Sequence, residues 1–551
     1  MRTELTEATG LTDRAAAALT RTRLGAALQR GRAEARGRRI QPTWTSLLGA
    51  VSMGSAAVLL VTGVILMFFY VPSSQQVAYH GGYAPLHGAT VSKAFASTLG
   101  LSMDVPGGLL LRQAHHWAGL LLPAALILQL LATFFSGAFR GPRRWAWALL
   151  VLLIVAVLAD GWSGYALPDD LLSGTGLRIV EGIVLAIPLV GTWMSALLFG
   201  GGYPGTIIEN LYPLHVAIFP VVIVALIVLR ARVAWRAGPT RIPVARPRPA
   251  HPIPFASAAA RSLSIASITA GILLLMGGAV TISPVWLSGP SDPGSASAGS
   301  QPDWYTGFLD GALRLVPAGW EVEWLGRTWT LAVLVPLAVV GAFVLAVLVH
   351  PWLERWVTGD GGDPSVLDRP RNMPARTALG VATLIFYGVL WGTASGDVIA
   401  HLFHLGLETV VTFFQVLLLV GPVIGFVVTR RVALGLQARD AEQLAHGFET
   451  GRIVRLPGGH YEEIHHELDA GTARALGTGA ITEAIPTRHG DGWRTPVDVV
   501  RVALAHWYDR DARRSAPQAV TEAVAEPVVE SAQPALPAAL PRSLAGTARH
   551  P

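Results

Sequence analysis

The sequence predicts an all-α membrane protein with eight transmembrane helices, and three observations carry that prediction. Of 551 residues, 52% are hydrophobic and only 14% are charged, where a soluble domain carries about a quarter charged residues. The mean hydropathy is +0.46. Eight stretches, roughly 46–71, 108–136, 145–166, 208–230, 263–287, 328–349, 376–395 and 408–429, are apolar and reach the length of about 20 residues that crosses a bilayer.

The connections between these stretches fix the expected orientation. One set carries Arg140, Arg143 and Arg144, then five arginines between Arg232 and Arg248, then Arg355, Arg369, Arg371 and Arg376, and finally Arg430 and Arg431. The opposite set holds Lys93, Arg178, Arg314, Arg327 and little else. The alternation survives all eight spans, so the positive-inside rule places both termini in the cytoplasm of a multi-pass protein of the cell membrane. With the arginines so placed, the net charge of +6 reads as a topology signal and not as a nucleic-acid surface. The absence of cysteine excludes disulfides, iron–sulfur clusters, thiolate-bound metals and covalently attached c-type haem on this chain. The first 40 residues are rich in Arg and Ala but carry Glu4, Glu7, Asp13 and Glu34 with no apolar core after them, which predicts a cytoplasmic segment and not a cleaved signal.

The expected organisation is a cytoplasmic N-terminal segment (1–43), a first four-helix part (44–236), a second transmembrane part (237–431), a cytoplasmic extension (432–515) and a disordered tail rich in Ala, Pro, Val and Glu (516–551). The long outer connections 72–107, 167–207 and 288–327 contain Trp, Tyr and Leu, so they are expected to form short interfacial helices over the outer mouth of the bundle.

Ionisable groups at membrane depth are costly and mark function. The second span opens on Arg112-Gln-Ala-His115-His116-Trp117, and the fourth contains His215 in Leu211-Tyr-Pro-Leu-His-Val. Both spans enter from the outer side, so His115 and His215 lie at matching depth. Two imidazoles facing each other across a bundle are what a six-coordinate haem requires, and Arg112, one turn from His115, can meet a propionate. His116 is the alternative ligand, separated by one residue of register. A lone buried His is more often a packing residue, and the pairing in depth is what argues otherwise. Gly63 on the first span and Gly164 on the third fall at that same level, and Gly49 shares a face with Gly63. Glycine lets a flat macrocycle approach a backbone, although small residues also serve ordinary helix packing.

In the loop 301–315, Pro302-Asp303-Trp304-Tyr305 resembles the Pro-Glu/Asp-aromatic-Tyr motif of the quinol-oxidation site in cytochrome b, the membrane subunit of the cytochrome bc1 complex. Gly164-Tyr165-Ala-Leu-Pro-Asp-Asp, the Arg112–Trp117 segment, Phe134-Phe-Ser-Gly-Ala-Phe139 and His446-Gly-Phe-Glu-Thr-Gly-Arg-Ile-Val-Arg-Leu456 are similar to actinobacterial members of that family. The resemblance spans about residues 40–465. It implies a haem-binding four-helix bundle followed by four further helices. It also implies menaquinol as substrate, a Rieske iron–sulfur protein and a cytochrome c subunit as partners, and a homodimeric complex. Asp303 would take a proton from bound quinol, in a pocket shaped by Tyr305 and Tyr165 with Pro302 and Trp304 completing the motif. Desolvation suits a carboxylate to that work.

One part of the family pattern is missing. Members carry two stacked haems, with a second histidine about 14 residues along each ligand helix, about 21 Å further down. Here those positions hold Gln129 and either Leu229 or, at a spacing of 15, Arg230. Ala132 replaces an expected Arg, and Leu150 stands where an inner glycine belongs. Gln and Leu are not haem ligands of the usual kinds, so one b-type haem, on the outer side, is expected and an inner haem is not. A full proton-motive cycle is then in doubt. Two other classes compete: a non-redox, partner-binding membrane scaffold that keeps the fold, and a transporter, against which the lack of inverted-repeat or broken-helix signals counts.

Overall fold

Among the described residues, eight helices are long and apolar enough to cross a bilayer: α1 (Thr45–Leu66), α2 (Gly108–Phe135), α3 (Arg144–Ala166), α4 (Ile207–Ala237), α5 (Phe255–Ala279), α6 (Leu331–Thr358), α7 (Pro374–Ala394) and α8 (Leu407–His446). The computed structural model describes residues 22–41, 43, 45–241, 252–297, 301–359, 363–468, 473, 476, 480–481 and 496–514. Residues 1–21 and the expected tail 516–551 lie outside them. The helical membrane fold is as expected, and the chain is a multi-pass membrane protein.

Element boundaries differ from hydropathy in instructive ways. α5 starts earlier than expected and stops at Ala279, because Pro284, ahead of the short helix Val285–Ser288, has no amide hydrogen to continue a helical ladder. Hydropathy counts Ile282, Val285 and Trp286 as span although they lie beyond the end of α5, the last two in that short helix. α8 runs on past Arg430 and Arg431 to His446, since helical propensity does not end where the apolar run does. The long connections hold the short helices Lys93–Met103, Leu171–Ala186, Gly191–Phe199 and Gly307–Arg314. They also hold an antiparallel hairpin, Glu321–Trp324 with Arg327–Thr330, which the sequence reading did not foresee.

α1 packs on α2 and α5, α3 on α2, α4 and α6, and α7 on α8 and the helix Gly307–Arg314. Each end of the bundle is pinned by polar contacts between connections. At the end carrying the long loops, the Ser74 amide and hydroxyl donate to the Glu209 carboxylate at 2.6 and 2.9 Å. There too the Ser291 amide donates to the Asp169 carbonyl at 2.9 Å, joining the third long connection to the second.

At the opposite end, charge is buried outright. Arg376 of α7 is fully buried and donates to both oxygens of Glu354 on α6, at 3.0 and 2.6 Å, and to Asp368 at 2.7 Å. Asp368 also holds Arg140 at 3.1 Å. Tyr508, from the helix Pro496–Asp509, donates to Glu354 at 2.7 Å. Burial, and then the charge of Glu354, raise the Tyr508 phenol well above its ordinary pKa, so it stays a donor. The segment beyond α8 therefore docks through this cluster. Breaking a buried pair by removing one partner costs about 3–5 kcal/mol, whereas apolar replacement of the whole pair is often neutral. Arg376→Met is expected to lower thermal stability in detergent sharply, and Arg376→Met with Glu354→Leu to recover part of the loss. Equal melting of both variants would contradict this account.

Candidate functional site

His215 stands inside a π-helical turn, Leu214–Ile218, within α4. A π-turn inserts one residue into the helix. Below it, the shielded stripe of α4 runs His215, Phe219, Ile223, Leu226 and Arg230, while Leu229 is exposed at 49%. The residue at the second level beneath His215 is therefore Arg230, the 15-residue alternative.

Hydrogen bonds assign the proton on each imidazole. His215 Nδ1 lies 3.0 Å from the main-chain oxygen of Asp160 on α3. A carbonyl only accepts, so Nδ1 carries the hydrogen. His115 Nδ1 on α2 lies 2.9 Å from Thr62 Oγ1 on α1. That hydroxyl already donates to the Val58 carbonyl at 2.6 Å, so it accepts from the ring. Both Nε2 atoms are left as bare lone pairs. The ring centroids are 6.1 Å apart, with planes 77° from parallel. Two imidazoles on opposite sides of one metal, each nitrogen about 2 Å from it, span a similar distance.

Glycines make room for the rings. A Cβ on Gly164 would lie 2.5 Å from His215 Cε1, and one on Gly63 would lie 3.2 Å from His115 Cε1. A Cβ on Gly49 would meet no atom within 4 Å. Arg112 lines the same cavity. Its Nη2 donates to the Ser283 carbonyl at 3.2 Å, and its Nε is buried with no hydrogen-bond partner among the described residues.

One open cavity, about 1650 Å³ including the solvent space at its mouth, joins Arg112, His115, His116, His215, Gly63, Gly164, Tyr165, Asp303 and Tyr305. His116 places Nε2 3.3 Å from Asp303 Oδ1, whereas His115 is the histidine whose ring lies against that of His215. Tyr305 donates to Asp303 Oδ2 at 2.9 Å. Burial first, and then the Asp303 charge, hold the Tyr305 phenol well above its ordinary pKa, so it remains protonated beside the carboxylate. Pro302 and Trp304 do not line the cavity. Trp304 instead straps the loop in place, donating to the Leu120 carbonyl at 3.2 Å and accepting from Trp391 at 2.9 Å.

The level below carries packed aliphatic side chains. Leu150 is buried in a cluster with Leu122, Leu126, Leu153, Ile154, Val157 and Ile223. Gln129 donates to Ser52 Oγ at 2.7 Å and to the Leu48 carbonyl at 3.3 Å. His401 and His404 are exposed. Among the described residues no group of three or more His, Cys, Asp or Glu is placed to hold a metal ion, and an axial pair of imidazoles is a different donor set, completed by a macrocycle. Sequence reasoning missed Asp160 and Thr62, although an acid inside the third span was a visible signal.

A helical membrane bundle with a facing imidazole pair and an acid–phenol loop above it defines a redox-type membrane subunit. Residues 120–290 match the family described as Cytochrome b(N-terminal)/b6/petB. The chain is 42% identical over 447 residues to the cytochrome bc1 complex cytochrome b subunit of Streptomyces coelicolor, covering 79% of this chain and 81% of that one. Against the same subunit of Corynebacterium efficiens it is 40% identical, covering 78% and 80%. Against that of Mycobacterium leprae it is 42% identical, covering 78% and 79%. A solved structure titled Hyperthermophilic respiratory Complex III shares the fold, with a TM-score of 0.52 at 18% identity over 72% of this chain and 94% of that one. This chain belongs to the family of cytochrome b subunits of the cytochrome bc1 complex.

The two glycine contacts differ in severity, 2.5 against 3.2 Å. Gly164→Ala is expected to lose more bound haem than Gly63→Ala, read as haem per polypeptide in purified protein. The reverse order would contradict the cradle described here.

Proposed function

We propose that this chain is the membrane subunit of a quinol–cytochrome c oxidoreductase that oxidises menaquinol at the outer face and holds one b-type haem. The observation that carries the reading is the facing of His115 and His215, each with a bare Nε2, in the cavity that also holds Asp303 and Tyr305. His115 and His215 would be the axial ligands. Arg112, with a buried Nε free of protein partners, would pair with a propionate, and Gly63 and Gly164 would admit the ring edge. When bound, the haem supplies one-electron acceptance at a site shielded from water.

The chain's own residues divide the rest of the work. Asp303, acceptor of the Tyr305 hydroxyl, takes the proton that quinol releases as its hydroxyl is oxidised. Tyr305 and Tyr165 wall the pocket. Trp304, held between Leu120 and Trp391, keeps the loop over α2. A Rieske iron–sulfur protein and a cytochrome c subunit would complete the complex as electron-transfer partners, within a homodimer whose subunits have both termini in the cytoplasm. The part 432–515 is read as a cytoplasmic extension of the two transmembrane parts 44–236 and 237–431. Gln129, Leu150 and Arg230 at the second level support one haem in place of two. That same filling favours a second reading, a paralogue that keeps the fold and does not run the full cycle.

A pyridine haemochrome measurement tests this. A value near one per chain, abolished by His115→Ala or His215→Ala, is expected. A value near two would overturn the single-haem assignment, and none at all would leave the scaffold reading. Asp303→Asn is expected to lower quinol oxidation by about 10²–10⁴-fold, the usual contribution of a positioned base, with haem content unchanged. Full activity in that variant would remove Asp303 from the mechanism.

A further inference from the structure

The two imidazoles do not receive the same support. His115 Nδ1 has a neutral hydroxyl as its partner, Thr62 Oγ1 at 2.9 Å. His215 Nδ1 faces Asp160 twice, with the main-chain oxygen at 3.0 Å and the carboxylate Oδ1 at 2.9 Å. The N–H is directed at the carbonyl. The carboxylate oxygen sits off the N–H axis, is itself buried, and has no hydrogen-bond partner among the described residues. Ser163 Oγ, which donates to the same Asp160 carbonyl at 2.7 Å, closes the other side at 3.4 Å. Asp160 lines the cavity, one helical turn before Gly164, so its carboxylate and the glycine cradle hold the ring from a single face of α3.

We propose that the Asp160 side chain is a positioning group for His215, setting the ring's azimuth beside the main-chain hydrogen bond and placing a negative charge behind one of the two ligands only. The inference rests on the assignment of His215 as a haem ligand. The physical basis is general: an outer carboxylate behind a ligating imidazole orients the ring and raises its basicity. A more basic ligand and an adjacent anion both favour the higher charge on a bound metal. The haem held here is therefore poised at a lower potential than the same pair of imidazoles with neutral partners would set. Such a carboxylate is costly at membrane depth, and no cation is paired with it among the described residues. The charge has a use only if something in the cavity is stabilised by it.

The test uses full-length protein purified in detergent, with haem content, midpoint potential and the low-temperature EPR spectrum of the ferric state measured on each variant. Asp160→Asn is expected to keep haem near the wild-type ratio, to raise the midpoint potential, and to shift the largest g value as the ring turns. Asp160→Glu keeps the charge and is expected to stay closer to the wild-type potential than the Asn variant does. Thr62→Val, which removes the neutral partner of His115, is expected to move the potential less than Asp160→Asn. An Asn variant with full haem and an unchanged potential and spectrum would overturn the proposal, as would Asn and Glu variants shifted equally. Wild-type protein without haem would instead overturn the underlying ligand assignment.

Discussion

Within a bilayer no water is at hand to satisfy a polar group, so every such group must find a partner in the protein or serve a ligand. This constraint organises the whole chain. It makes the spans helical, because only then does each carry its own backbone hydrogen bonds. It also decides which way the two imidazoles present themselves. Thr62 and the Asp160 carbonyl claim the Nδ1 hydrogens, which leaves each Nε2 without its hydrogen. The proposed haem site between them rests on where the other end of each ring is held.

The same constraint separates the two levels of the bundle. At the upper level, polar atoms are left open: Arg112 Nε and Asp160 Oδ1 are buried with no hydrogen-bond partner among the described residues, and both residues border a single cavity. At the level beneath, Gln129 and Leu150 are closed. Gln129 is satisfied by Ser52 and the Leu48 carbonyl, and Leu150 sits in a packed aliphatic cluster. A polar group with its bonds made and a leucine with its surface buried have nothing to offer a ligand. This contrast gives the single-haem reading its physical content.

The far end of the bundle shows the third solution, in which buried charges satisfy one another. Arg376, Glu354, Asp368, Arg140 and Tyr508 form a closed set drawn from α6, α7, two connections and the segment after α8. Such a set adds little stability relative to an apolar core, but it can assemble in only one arrangement. It ties the second group of helices and the C-terminal segment to Arg140 of the first group.

Composition and arginine placement were enough to read eight spans and the fold class, because hydrophobic length and charge are properties of residues taken singly. The equal depth of His115 and His215, and the acid–phenol loop, were legible for a similar reason: they depend on position along a helix and on a short local pattern. Tertiary structure alone decided the rest. Only the packing of the helices showed that His115 pairs with Thr62 while His116 reaches Asp303, since adjacent residues on a helix point about 100° apart. Only the π-turn in α4 put Arg230 and not Leu229 at the second level, because one inserted residue rotates everything after it. Asp160, a single acid in an apolar run, acquired its meaning only when α3 and α4 came together and brought its carboxylate to the back of an imidazole on another helix.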